Sequence, residues 1–318
     1  MLSRTASHLF WMGRHLERAE TAARLLDVGA RITLLPGNDE RLENEWQSLL
    51  QASGNADVFH ATYVGVTQEN IESFMFFDRC NPSSVASSIE KAREGGRIVR
   101  TALTSQVWDA LNTAYQQLRE LERIPRAAVD PAMLTDFTTR HTSTVRGAIQ
   151  ATQLRNDGWH FMNLGYGLER ADATARLLDV KYFVLLPRVE FIGSGMDTYH
   201  WQVILRELSA HRAFHWAYQG DVTAGRVAHF LILNSESPRS LITALRESVQ
   251  HLDGLIARYG PEVPATAHAR AHEVYDWLQG HDIDRIFEVG LHEFLTRFIR
   301  EIADIATAVQ DVYLSGRT

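Results

Sequence analysis

Acidic and basic side chains recur at helical spacing in two distant parts of the chain. The candidate functional residues form a first Glu/Arg cluster (Glu17, Arg18, Glu20, Arg24) and a second Glu/Arg cluster (Glu169, Arg170, Asp172, Arg176). In each cluster the two acids are three residues apart and the last arginine follows four residues later, so these three side chains share one face of a helix. Carboxylates grouped in this way can bind a divalent metal ion, act as a general acid or base, or form ion pairs with arginine.

Both clusters belong to a repeated segment. Residues 13–28 (GRHLERAETAARLLDV) and 165–180 (GYGLERADATARLLDV) are identical at eleven of sixteen positions, at an offset of 152. Each segment leads to a Leu-Leu-Pro phrase, at 34–36 and at 185–187. Fainter matches follow at offsets of 156 and 157, and they pair Phe74, Pro82, Ser84, Phe137 and Gln153 with Phe230, Pro238, Ser240, Phe294 and Gln310. The pattern predicts an internal duplication rather than a short-period solenoid.

The fold class predicted for the chain is all-α. Apolar residues recur at three- and four-residue spacing, as in Leu9, Met12 and Leu16, and alternating strand patterns of useful length are few. Helices are predicted near 5–35, 40–53, 67–78, 82–122, 132–155, 159–186, 197–219, 222–234, 238–259, 265–279 and 283–314. We expect two related helical halves, residues 1–157 and 158–318, packed as a single bundle about a pseudo-two-fold axis.

The sequence leaves two interpretations of the Glu/Arg clusters open. An exposed helix face changes freely, because isolated surface ion pairs contribute only about 0–1 kcal/mol. A face retained in both halves therefore indicates partial burial, and in the first interpretation its ion pairs lock two long helices in register. In the second, the carboxylates of Glu17, Glu20, Glu169 and Asp172 converge and hold a divalent metal, or a cationic or amide-bearing substrate. Helical di-iron sites use Glu-x-x-His, and the interleaved arginines of this chain do not match that pattern. Arginine beside the acids suits an anionic ligand or a lattice of salt bridges better.

The phrases LFWMGRHLERAETAARLLD, residues 9–27, and GLERADATARLLDVKY, residues 167–182, resemble the bacterial alpha-E family. The resemblance covers the whole chain and implies an all-helical protein of about this length. It also implies a gene encoded beside, or fused to, a circularly permuted ATP-grasp amide ligase and a transglutaminase-like protein, in a peptide-modifying or peptide-synthesising system. We therefore expect a helical accessory or binding protein whose partner is one of these proteins or a peptide. The alternative is an enzyme with a carboxylate-rich, possibly metal-dependent site.

Histidines offer two further candidate metal sites. His211 and His215 are four residues apart, with Glu207 one turn earlier and His200 two turns before that, so they could share a helix face. His268, His272 and Asp276 form a similar row, but Asp276 stands where a zinc-protease helix has its second histidine. A solvated helix face is the competing interpretation of both rows.

Composition excludes several classes of protein. The chain has 318 residues, a formal net charge of −7, and only one cysteine, so neither a disulfide framework nor a four-cysteine zinc site is possible. We expect Cys80 to be a buried apolar residue. No apolar run is long enough to cross a membrane, and the acidic balance argues against a nucleic-acid partner. A cytoplasmic location is expected, and a homo-oligomer remains open.

Of the 32 basic residues only Lys91 and Lys181 are lysine. This bias reflects either genomic base composition or arginines held in forked ion pairs.

Overall fold

The computed structural model describes residues 1–32, 39–185, 195–260 and 263–316, and within these ranges the fold is all-α. Positions 34–36, 186 and 187, which include most of the two Leu-Leu-Pro phrases, lie outside the described residues.

Fifteen α-helices follow one another along the described residues: α1 (Ser3–Ile32), α2 (Asp39–Ala52), α3 (Ala56–Thr62), α4 (Gln68–Glu72), α5 (Val85–Ile98), α6 (Ser105–Leu121), α7 (Pro131–Thr152), α8 (Asp157–Leu185), α9 (Gly195–Glu207), α10 (His211–Ala217), α11 (Ala224–Ile232), α12 (Leu241–Tyr259), α13 (Thr266–Gln279), α14 (Ile283–Val289) and α15 (Leu291–Val309). Two single π-helical turns, Ser73–Phe77 and Gln310–Leu314, complete the elements named below.

The two long helices α1 and α8 pack directly against each other at the centre of the fold. A Cβ atom added to Gly13 would lie 2.2 Å from the carbonyl oxygen of Met162, and one added to Gly165 would lie 2.2 Å from the carbonyl oxygen of Phe10. Only glycine permits this approach of the two backbones. Helices α5 and α7 pack against α1, and α12 and α15 pack against α8. Neighbouring helices therefore cover much of both central helices.

Serine hydroxyls fix the start of two of the surrounding helices. Ser84 accepts a hydrogen bond from the backbone N–H of Ser87, and Ser240 accepts one from the backbone N–H of Thr243. Such an N-cap satisfies one of the unpaired donors of the first turn. Helices α5 and α12 therefore begin just after these serines, a few residues later than the predicted starts near 82 and 238.

Several predicted helices are interrupted in the structure. The predicted helix 82–122 is divided into α5 and α6, because Thr104 caps a new helix by accepting from the N–H of Val107. The predicted helix 197–219 breaks at Ser209, whose φ of 55° lies in the left-handed region, and 283–314 breaks at Gly290 with φ of 107°. Helix α3 was absent from the prediction. The short apolar run at Phe74–Phe77 is helical, as predicted.

Two aromatic clusters have the same composition and geometry: Phe59, Tyr63 and Phe74, and Phe214, Tyr218 and Phe230. The rings of Phe59 and Tyr63 stack with centroids 5.2 Å apart, and those of Phe214 and Tyr218 stack at the same distance. In both clusters the third ring, Phe74 or Phe230, packs edge-on.

Candidate functional site

The crossing of α1 and α8 brings the two Glu/Arg clusters together. One turn beyond the glycine contact, Arg18 of α1 bonds Glu169 of α8 (Nε to Oε1, 2.6 Å). Arg170 of α8 bonds Glu17 of α1 in return (Nη2 to Oε2, 3.0 Å). Arg18 follows Glu17 in sequence and Arg170 follows Glu169, so each glutamate pairs with the arginine next to the other glutamate. Two reciprocal ion pairs therefore join the two helices.

Arginines from other elements complete the shell around the first cluster. Nη2 of Arg146 in α7 lies 2.6 Å from Oε2 of Glu17 and 2.9 Å from Oε2 of Glu20. Arg239, just before α12, contacts both glutamates as well, with Nη1 3.2 Å from Oε1 of Glu17. Arg24 bonds Glu20 within the same helix at 2.8 Å. Glu17 and Glu20 are only 0% and 2% exposed, so both carboxylates are enclosed by guanidinium groups.

These arginines keep both glutamates ionised. Burial alone would raise the pKa of Glu17, but the charges of Arg170, Arg146 and Arg239 outweigh it and hold that pKa well below its usual range. Burial and the neighbouring Glu17 carboxylate act to raise the pKa of Glu20, yet the arginine charges lower it to about 2. A catalytic acid or base needs a pKa near the working pH. The first cluster is therefore suited to holding helices together and poorly suited to proton transfer.

In the part of the chain that the structure describes, the second cluster has fewer cationic partners. Glu169 accepts from Nε of Arg14 at 2.6 Å as well as from Arg18, and Asp172 pairs with Nε of Arg176 at 2.7 Å. Burial acts to raise the pKa of Glu169, and the charges of Arg14 and Arg18 reverse the effect and lower it. The Asp172 side chain keeps 20% exposure, because a cavity opens beside it.

This cavity has a volume of about 270 Å³, and we call it the Asp172 cavity. Its charged walls come from both central helices, and they are Arg18, Glu169, Asp172 and Arg176. Its remaining polar walls include Ser83, Asn81 and Gly54. A smaller cavity of about 210 Å³ adjoins the first cluster, but there the side chain of Arg239 forms part of the wall.

A carboxyl pair lies one turn beyond the first cluster. Arg31 contacts Asp27 at 3.0 Å and Glu207 of α9 at 2.9 Å. Burial, followed by the hydrogen bond and the charge of Asp27, raises the pKa of Glu207 to about 8. Glu207 is therefore predominantly protonated at neutral pH. Asp179, the corresponding residue of α8, contacts His292 at 2.7 Å instead.

The structure separates the histidines of the first candidate metal site from their carboxylate. The rings of His211 and His215 are neighbours, with centroids 4.6 Å apart, but Glu207 faces Arg31 and Asp27. In the second row, His268 and His272 both contact Oδ1 of Asp253, at 2.7 and 3.0 Å. Asp253, His268 and His272 are the only three such side chains within metal-binding distance of one another among the described residues, and Asp276 is not one of them.

Sequence reasoning missed three arginines of the site: Arg14, Arg146 and Arg239. Arg239 had a detectable signal, since it lies between Pro238 and Ser240 where the matching phrase in the first half has Ser83. Arg146 lies on α7 with no counterpart motif, so only the packing of α7 against α1 reveals its role. The expectation for Cys80 was wrong: this residue is exposed, in the turn that follows the first π-helical segment.

Among the described helices none is both long and apolar enough to cross a lipid bilayer. Curated relatives include uncharacterised proteins of Mycobacterium tuberculosis and Mycobacterium bovis, each 23% identical to this chain over 96% of its length. The chain spans 37% of the length of these relatives. No solved structure matches it.

The family comparison matches residues 1–314 to Alpha-E, described as a predicted alpha-helical domain with a conserved ER motif. Glu-Arg dipeptides stand at the centre of the helix crossing, at 17–18 and at 169–170. With nearly its whole length matched, the chain belongs to the Alpha-E family.

Proposed function

We propose that this chain is a non-catalytic helical accessory or binding protein of a bacterial ATP-grasp-linked amide-ligation or peptide-modification system. One observation supports a non-catalytic role: arginine guanidinium groups surround the carboxylates of Glu17 and Glu20. The assignment to an ATP-grasp system, with the ligase, a transglutaminase-like protein or a peptide as partner, rests on the resemblance of the repeated Glu/Arg phrases to Alpha-E sequences. A cytoplasmic location belongs to the same proposal.

The enzyme alternative has less support from the geometry. A divalent cation at Glu17 and Glu20 would lie beside the guanidinium groups of Arg146 and Arg239, and like charges at such distances repel. The carboxylates also lack the pKa of a general base at neutral pH. Removing one partner from a buried ion pair typically costs about 3–5 kcal/mol, which gives these residues a structural reason to be retained in both halves.

We also propose that the two halves, residues 1–157 and 158–318, arose by duplication and pack about a pseudo-two-fold axis as one domain. The reciprocal contacts support this proposal. Gly13 approaches the backbone of Met162 as Gly165 approaches that of Phe10, and all four positions obey the offset of 152 found in the sequence. An isologous contact, in which residue i meets j and j meets i, is what a two-fold axis produces.

Co-purification with the ATP-grasp protein encoded nearest to it tests the proposed function. We expect the full chain to bind this protein and to change its rate of amide ligation when added to the purified ligase. Failure to bind, together with an unchanged ligation rate, would contradict the proposal. For the enzyme alternative, the metal content of the wild-type chain, Glu17→Gln and Glu169→Gln is measured by elemental analysis. Stoichiometric metal in the wild type that both variants lose would favour the enzyme.

A further inference from the structure

The two Glu/Arg clusters differ by one in the number of described arginines that contact their acids. Within the described residues, the carboxylates of Glu17 and Glu20 contact four different arginines: Arg24, Arg146, Arg170 and Arg239. The carboxylates of Glu169 and Asp172 contact three: Arg14, Arg18 and Arg176. In the first cluster Arg146 and Arg239 each bridge the two acids, and in the second cluster no described arginine bridges Glu169 and Asp172.

The absence of a counterpart to Arg239 corresponds to a change of residue at one position of the repeat. Arg239 follows Pro238 and precedes Ser240, the N-cap of α12, whereas Ser83 follows Pro82 and precedes Ser84, the N-cap of α5. Ser83 lines the Asp172 cavity, and its short side chain leaves open the space that a longer side chain would occupy.

The walls of the Asp172 cavity retain acceptors for such a cation. An ionised carboxylate has about four acceptor positions, and Asp172 uses two of them, both with Arg176. Glu169 is 5% exposed, borders the same cavity and accepts three hydrogen bonds from Arg14 and Arg18, so about one of its acceptor positions is left. The guanidinium groups of Arg18 and Arg176 line the cavity as well, so an anionic ligand would meet both signs of charge there, but both groups already donate to Glu169 or Asp172. A planar guanidinium group could instead bridge the two acids with its fork of N–H donors.

We propose that the Asp172 cavity binds the guanidinium group of an external ligand, an arginine side chain being the natural source. The guanidinium bridges Glu169 and Asp172 as Arg239 bridges Glu17 and Glu20. The site does not involve an ATP-grasp partner, so the test of this proposal is independent of the test of the proposed function.

Calorimetric titration of the full chain tests this proposal with small probes. Methylguanidinium and N-acetylarginine amide are the expected binders, methylammonium should bind more weakly because it lacks the planar fork, and acetate and inorganic phosphate should not bind. Binding of free arginine is compared with binding of N-acetylarginine amide. The first represents a metabolite and the second a peptide as the source of the guanidinium group. Absence of methylguanidinium binding, or preferential binding of acetate or phosphate, would overturn the proposal.

Substitutions at Ser83 locate the binding. Ser83→Arg places an internal guanidinium at the position that corresponds to Arg239, so we expect it to weaken methylguanidinium binding by about tenfold or more. Ser83→Ala, which keeps the cavity open, is the matched control and should bind as the wild type does. Asp172→Asn, on a partly exposed side chain, provides an independent variant should Ser83→Arg fail to fold, and it should weaken binding to a similar extent. Unchanged binding in folded Ser83→Arg or in folded Asp172→Asn would place the ligand elsewhere and contradict the assignment.

Discussion

Glu17 of α1 and Arg170 of α8 form a buried ion pair across the central helix crossing, with Nη2 of Arg170 3.0 Å from Oε2 of Glu17. The pair Arg18–Glu169 repeats the contact in the opposite direction. Because arginine presents two parallel N–H donors to a carboxylate, such pairs fix both the distance and the rotation of the helices that bear them. The Glu-Arg dipeptides therefore set the register of the fold's two longest helices.

Glu17→Gln should strongly destabilise the fold. It removes the carboxylate while leaving Arg146, Arg170 and Arg239 buried around a neutral amide, and the expected loss is about 3–5 kcal/mol in the free energy of unfolding. Urea unfolding followed by circular dichroism measures it. Glu273→Gln is the control, because this exposed acid pairs only at the surface with Arg270, and its effect should stay within about 0.5 kcal/mol. Equal effects of the two substitutions would refute the assigned role of Glu17.

Gly13→Ala should separate the central helices. The new Cβ would lie 2.2 Å from the carbonyl oxygen of Met162, so the backbones must move apart, at a cost of about 1–3 kcal/mol. Gly147→Ala is the matched control: this glycine is also helical, in α7, but nothing lies within 4 Å of its added Cβ. There alanine should raise the stability by about 0.5–1 kcal/mol. Thermal unfolding compares the two, and shifts of the same sign would count against a close helix contact at Gly13.

The buried carboxyl of Glu207 should make stability depend on pH. Its pKa is about 8 in the folded chain and near 4.5 when exposed, so between these values the folded state binds more protons than the unfolded state. Stability from this group is fully present below about pH 4.5 and is lost as the pH rises towards about 8, with a slope of at most about 1.4 kcal/mol per unit. The stability difference between wild type and Glu207→Gln, measured by urea unfolding across this range, isolates this group from the other titrating groups of the chain. A difference independent of pH would show that Glu207 is ionised in the folded chain.

Arg239→Ser should open a space beside the first cluster. This space would correspond to the one that Ser83 leaves beside the second cluster. Removing this cation from two buried carboxylates should cost about 3–5 kcal/mol of stability. Millimolar methylguanidinium should restore part of the lost thermal stability, because a ligand that binds only the folded state raises the midpoint of unfolding. The exposed Arg300, changed to serine, is the control and should gain nothing from the additive beyond the wild-type response. Identical responses in both variants would mean that the guanidinium acts non-specifically.

The sequence predicts the central pair of helices and the residues of both clusters, because a repeated segment shows which side chains occur in both copies. The sequence predicts poorly which other polar residues surround these clusters. Arg146 reaches Glu17 and Glu20 only through the packing of α7, and a contact between residues so far apart in sequence leaves no periodic signal. The break between α5 and α6 was missed for a local reason. The apolar spacing continues across it, and the N-cap at Thr104 decides where the second helix begins.

The arginine-rich composition acquires a physical meaning in this site. A genomic bias would raise arginine throughout the chain, whereas Glu17 and Glu169 are held by forked contacts from Arg170 and Arg18 that the single ammonium of lysine cannot reproduce.

The shell of Arg146, Arg170 and Arg239 around Glu17 also constrains the order in which the protein can fold. During synthesis, Glu17 emerges long before Arg170 and longer still before Arg239. Until then Arg146 is the only one of these three arginines that has been made. Contacts between residues this distant in sequence form slowly, because a long loop must close first. We therefore expect a nascent chain ending near residue 157 to stay unfolded, and the two halves to fold as one cooperative unit once α12 has been made.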